Sequence, residues 1–103
     1  MKVYISGPIT GTEDYKERFK AAEVELRRAG HVPVNPVTIS EKLGKDLPHE
    51  AYMKRDIEWL VSCEGIYMLP NWQNSKGARV EKIVADACGI PVIKVKVLDR
   101  KWP

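Results

Sequence analysis

The sequence predicts an α/β domain of three layers, with helices on both faces of a mostly parallel sheet of four or five strands. Three observations carry that expectation. Short runs rich in Val, Ile and Tyr alternate with stretches of helical periodicity. The first such pass, residues 2–34, is a strand–helix–strand unit, which favours a right-handed crossover and parallel pairing. Gly65-Ile-Tyr-Met-Leu69 is apolar throughout, as expected of a central strand covered on both faces.

Lys2 to Ser6 is a buried strand that stops at Gly7-Pro8, and Gly7, Gly11 and Thr12 lead into the acids Glu13 and Asp14. A strand, a glycine loop and a helix start in that order can offer backbone N–H groups to an anion. Gly7-x-x-x-Gly11 is neither a Walker loop nor the dinucleotide GxGxxG, so on the loop by itself plain turn geometry is the favoured account. From Asp14 to Ala29, Tyr15, Phe19, Ala22, Leu26 and Ala29 keep helical spacing, and Gly30 is a natural cap. His31 to Val34 is a second strand, closed by Asn35-Pro36. Pro36 to Pro48 reads as irregular, either a cover over a pocket or an exposed connection. His49 opens the next helix, where a lone histidine is more often a surface or capping residue than a catalyst. That helix runs to about Cys63, with Tyr52, Met53, Ile57, Trp59, Leu60 and Cys63 on a broad apolar face.

After the apolar strand, Pro70 to Ser75 is a polar loop at the strand's carboxyl end, where open α/β sheets bind ligands. Trp72 there either stacks on a base or shields the loop. A helix follows from Ser75 to about Cys88, and Gly89-Ile-Pro91 turns the chain into a last strand, Val92 to Leu98, with Lys94 and Lys96 on a solvated face.

Two acids stand out within these helices. Arg79, Lys82 and Asp86 share one side of the last helix, and Val80, Ile83, Val84, Ala85, Ala87 and Cys88 are expected to fill the other. Glu81 falls within the apolar arc, and Asp56 falls likewise between Cys63 and Leu60 in the preceding helix. A carboxylate aimed into an apolar face is disfavoured unless it is paired, protonated or used. Each is either a pair partner or cap, or part of a working site.

The totals narrow the classes. At 103 residues and 11.7 kDa the chain supports one core, so residues 1–103 form a single domain. A net charge of +3 fits an anionic small molecule, and the lack of a dense Lys/Arg tract argues against a nucleic-acid partner. Met1 leads directly into a strand-like run, with no signal-peptide pattern and no apolar stretch near membrane-spanning length, so a cytoplasmic protein without membrane contact is expected. Cys63 and Cys88 lack CxxC spacing and read as reduced core thiols, and nothing calls for a metal or cofactor.

Val3-Tyr-Ile-Ser-Gly-Pro8, Arg55-Asp56-Ile-Glu-Trp-Leu60 and Ser75-x-Gly77-x-x-x-Glu81, in that order and spacing, resemble the nucleoside 2-deoxyribosyltransferase superfamily, which includes deoxynucleoside monophosphate N-glycosidases. The match runs from about Lys2 to Ile93. It implies a Rossmann-like fold and an enzyme that acts on a deoxynucleoside or deoxynucleotide without a cofactor. It also implies a homodimer or higher oligomer whose pockets borrow from a neighbour. By position, Glu81 is implied to be the nucleophile at C1′ of the deoxyribose, Tyr4 to orient it, and Asp56 to handle protons or position the sugar. Ser6, Gly7, Pro8 and the loop to Gly11 are implied to approach sugar or phosphate. Gly77 belongs to the same motif, and Ser75 matches a position that contacts the 5′-phosphate in the nucleotide-hydrolysing branch. That branch carries a serine and an arginine where this chain has Pro8 and Thr10, so base, phosphate and hydrolysis against transfer stay open. The rival readings are a non-catalytic nucleotide-binding or sensor module on the same scaffold, and a small nucleic-acid binder.

Overall fold

Strand β1, Lys2–Ser6, lies in the middle of the sheet, and the rest of the chain is built on its two faces. The computed structural model describes residues 1–42 and 47–95. β1 is followed by α1 (Tyr15–Arg28), β2 (Val32–Val34), α2 (Pro36–Glu41), α3 (His49–Val61), β3 (Gly65–Met68), a 3₁₀ turn (Trp72–Asn74) and α4 (Lys76–Ala87). Both neighbours pair with β1 in parallel, Tyr4 facing Val34 on one side and Ile66 on the other.

Side chains alternate across a strand, and β1 uses both sides. Val3 and Ile5 pack with Phe19, Ala22 and Leu26 of α1. Tyr4 joins Leu60, Cys63, Ile66 and Ala85 beneath α3 and α4. Fully burying a side chain such as Phe19 or Leu26 stabilises the fold by about 1.5–3 kcal/mol, so α1 is fixed mainly by its apolar stripe. These are the three layers expected.

Several expectations need correction. The described residues hold three strands, in the order β2-β1-β3, rather than four or five. A fourth begins at Val92, and among the described residues it is a single bridge. Ile66 N–H bonds to the Pro91 carbonyl (3.0 Å), Ile93 N–H bonds to the Ile66 carbonyl (2.8 Å), and Val92 forms a single parallel bridge to Ile66. The expected strand to Leu98 runs beyond the described residues. Pro36 to Pro48 is not wholly irregular: Asn35 caps α2 by accepting from Val37 N–H at 3.0 Å, and Pro36 supplies a preset first helical residue.

The apolar arc of α4 also divides. Ala78, Glu81 and Ala85 are buried, whereas Val80 and Ile83 are 38% and 66% exposed. Cys88 is exposed too, and only Cys63 is a buried thiol. On α3, Trp59 lies open with the Lys2 ammonium 5.3 Å from its ring, and Leu60 carries the burial. Among the described residues no helix is long and apolar enough to cross a membrane.

Candidate active site

Tyr4 and Ser6 are two residues apart on β1 and so project to the same face, toward α4. The side chain they meet is Glu81. Tyr4 Oη donates to Glu81 Oε2 at 2.6 Å, and Ser6 Oγ donates to Oε1 at 2.7 Å, the short separations expected of hydroxyls on a carboxylate. Tyr4 is fully buried, Ser6 is 1% exposed and Glu81 6%. Glu81 is thus held at both oxygens by neutral donors, and it has no ion pair among the described residues.

This carboxylate forms part of the wall of a cleft of about 940 Å³, with Asp56 of α3 on the same wall. Burial raises the pKa of Glu81, opposed by the two hydroxyl hydrogen bonds that favour its ionised form. Asp56 is raised to about 7, first by burial and then by the charge of Glu81, with Arg55 pulling the other way. Burial and the two acids push Tyr4 well above its ordinary value, so it remains a proton donor at neutral pH. One carboxyl accepting two hydroxyl donors and a second titrating near neutrality is an arrangement able to divide nucleophile and proton donor between them.

The remaining sequence candidates separate by place. Gly7, Ser75 and Gly77 line the cleft with Asp56 and Glu81. Pro8 and Gly11 do not, although Ile9 and Thr10 between them do. Gly11 has φ +78°, which accounts for a glycine there by backbone conformation alone. Trp72 lines a separate hollow with Tyr67, Met68 and Val92. Ser75 Oγ caps α4 by accepting from Ala78 N–H at 3.2 Å. Ser6 lies behind Glu81, in contact with it, and is not itself on the cleft wall.

Gly7 has a packing reason as well. A β-carbon there would lie 2.7 Å from Cβ of Leu69, whose N–H bonds to the Ser6 carbonyl at 2.8 Å, so the ends of β1 and β3 touch without room for a methyl group. Gly7→Ala is expected to destabilise the fold by about 1–3 kcal/mol, lowering Tm by roughly 4–8 °C per kcal/mol in a domain this small. Thermal unfolding followed by circular dichroism checks this. An unchanged Tm would show that the sheet yields at no cost.

Residues not anticipated at the site include His49, Tyr52 and Met53 of α3 and Lys16 in the first turn of α1, all on the cleft wall. For two of them the signal was present. Tyr52 and Met53 precede Asp56 by four and three residues, so one helical face carries all three. Tyr15, Phe19 and Val37 add to the apolar lining of the cleft, and Lys16, His49, Ser75 and Lys76 to its polar lining. Among the described residues no three His, Cys, Asp or Glu gather as a metal ligand set.

This parallel sheet with helices on both faces has a solved counterpart. The 2-deoxyribosyltransferase of the psychrotolerant bacterium Bacillus psychrosaccharolyticus has the same fold and superposes with a TM-score of 0.72 at 22% identity, over 89% of this chain and 69% of that one. The chain belongs to the DUF4406 family, described as a domain of unknown function, whose pattern matches residues 1–94. No functionally curated protein matches in sequence.

Proposed function

We propose that this protein cleaves or exchanges the N-glycosidic bond of a 2′-deoxynucleoside or its 5′-monophosphate, with Glu81 as the nucleophile. The observation that carries the reading is a buried carboxylate, oriented by Tyr4 and Ser6, in one cleft with the raised acid Asp56. The counterpart described as a 2-deoxyribosyltransferase supports the choice of substrate class.

In this mechanism a Glu81 oxygen forms a bond to C1′ as the C1′–N bond breaks, and the bond's electron pair leaves with the base. Protonated Asp56 gives its proton to the departing nitrogen. Water, or a second base, then attacks C1′, the ionised Asp56 accepts the proton that the attacker sheds, and the C1′–O bond to Glu81 breaks to restore the carboxylate. The apolar lining of the cleft, which includes Tyr15, Phe19, Tyr52 and Met53, is the surface offered to the base. The polar lining, which includes Lys16, His49, Ser75 and Lys76, is offered to the sugar hydroxyls or a phosphate.

The test is direct. Incubated with a panel of 2′-deoxynucleosides and their 5′-monophosphates, the protein should release free base, and Glu81→Ala should abolish that release. Ligand binding without release, unaffected by the substitution, would instead favour a non-catalytic sensor. Formation of a new nucleoside when a second free base is supplied separates transfer from hydrolysis.

The same reading includes a homodimer. Its support is the open apolar side of α4, where Val80 and Ile83 face solvent on a helix whose other side carries Glu81. Ile83→Glu should convert the dimer to monomer in light scattering. An unchanged mass would place the interface elsewhere, and a monomeric parent protein would remove the dimer altogether.

A further inference from the structure

The resemblance implies that Ser6 approaches sugar or phosphate, yet the residue is 1% exposed and its hydroxyl is directed at Glu81. Resting on the proposed glycosidic function, we infer that Ser6 is a positioning residue: it grips Glu81 Oε1 while Tyr4 grips Oε2, and so fixes the plane and direction of the attacking carboxylate.

Three features carry this. The backbone of Ser6 is held on the side of β3, by pairing with Met68, by the Leu69 N–H on its own carbonyl, and by the close approach of Gly7 to Leu69. Its Oγ therefore starts from a rigid point. The glutamate is held on α4, where Ala78 and Ala85 lie buried on the same side of the helix, so both ends of the hydrogen bond are anchored in packed elements. With one donor a carboxylate can swing about the surviving hydrogen bond, whereas two donors on its two oxygens fix its plane.

The two hydroxyls also divide the electrostatic work. Burial opposes the charge of Glu81, and each hydroxyl hydrogen bond stabilises it. Besides the phenols of Tyr15 and Tyr52, the other titratable and charged groups on the cleft wall are Asp56 and His49 of α3, Lys76 of α4, and Lys16 and Glu41, the last two 4.0 Å apart. None of these touches Oε1 as Ser6 does. Removing the Ser6 hydroxyl leaves that oxygen buried and without its donor, and a hydrogen bond to a charged group is worth enough to lower turnover about ten- to a hundredfold.

The experiment compares wild type, Ser6→Ala and Ser6→Cys in two readouts. In base release, Ser6→Ala should lower kcat about ten- to a hundredfold with KM within about twofold, and should shift the acidic limb of the pH profile upward by about one unit. Ser6→Cys, of similar size with a weak donor, should recover part of both effects. Independently of turnover, the ¹³C titration of the Glu81 carboxyl in the free protein should move upward in Ser6→Ala, with Glu81→Gln identifying the signal. An unmoved titration in a folded Ser6→Ala protein overturns the grip, as does unchanged kcat with an unmoved acidic limb. A wild-type protein that releases no base from any substrate overturns the glycosidic reading, and with it the positioning role in catalysis. An upward titration in that case would leave only a structural hydrogen bond.

Discussion

Glu81→Gln is expected to keep the fold and to lower base release by on the order of 10⁴-fold or more, because shape is preserved while the nucleophile is lost. The amide oxygen can still accept from Tyr4, and the Ser6 hydroxyl can rotate to accept from the amide nitrogen, so both contacts survive in altered form. Circular dichroism and Tm guard against loss of structure, and chromatographic detection of free base measures the rate. Release within tenfold of the parent would mean that the carboxylate does not attack, and the covalent mechanism would be withdrawn.

Asp56→Asn is expected to cost about 10²–10³-fold in base release, the usual yield of a positioned proton donor. The wild-type rate should fall as pH rises through about 7, where Asp56 loses its proton, and this basic limb should vanish in the variant. Stability supplies an independent sign. The folded pKa lies above the ordinary 3.8, so between about 4 and 7 the folded chain keeps a proton that the unfolded chain has lost. Stability from this group therefore declines as pH rises across that window, and its penalty is complete above about 7. Asparagine cannot ionise, so the gain in Tm of Asp56→Asn over wild type should be greater at pH 8 than at pH 4. An equal difference at both would show that Asp56 titrates as an ordinary exposed acid.

Much of the fold was legible because the sheet imposes period 2 and a buried parallel strand imposes a continuous apolar run. β1 and β3 follow those rules within a residue. α2 was missed because Asn35-Pro36 serves equally as a strand stop and as the start of a helix, and a six-residue helix has too few turns to show periodicity. The inward acid at 81 was legible on the helical wheel, but that criterion alone is permissive. Glu25 of α1 is 5% exposed as well and lies 3.5 Å from the Arg28 guanidinium, a buried acid outside the cleft. What distinguishes Glu81 is the pair of hydroxyls on β1, a tertiary fact that no local window contains. Val80 and Ile83 show the converse limit, since an apolar arc names the residues that avoid water and not the surface that covers them.

A carboxyl kept under cover, whose direct partners among the described residues are two neutral hydroxyls, is destabilising to the folded chain and offset by the packing around it. Directed evolution screened purely for heat resistance would drift toward uncharged side chains at position 81, and its winners would be durable and inert. Survivors of such a screen that nevertheless retain the acid would mark how much robustness this scaffold can gain while still working.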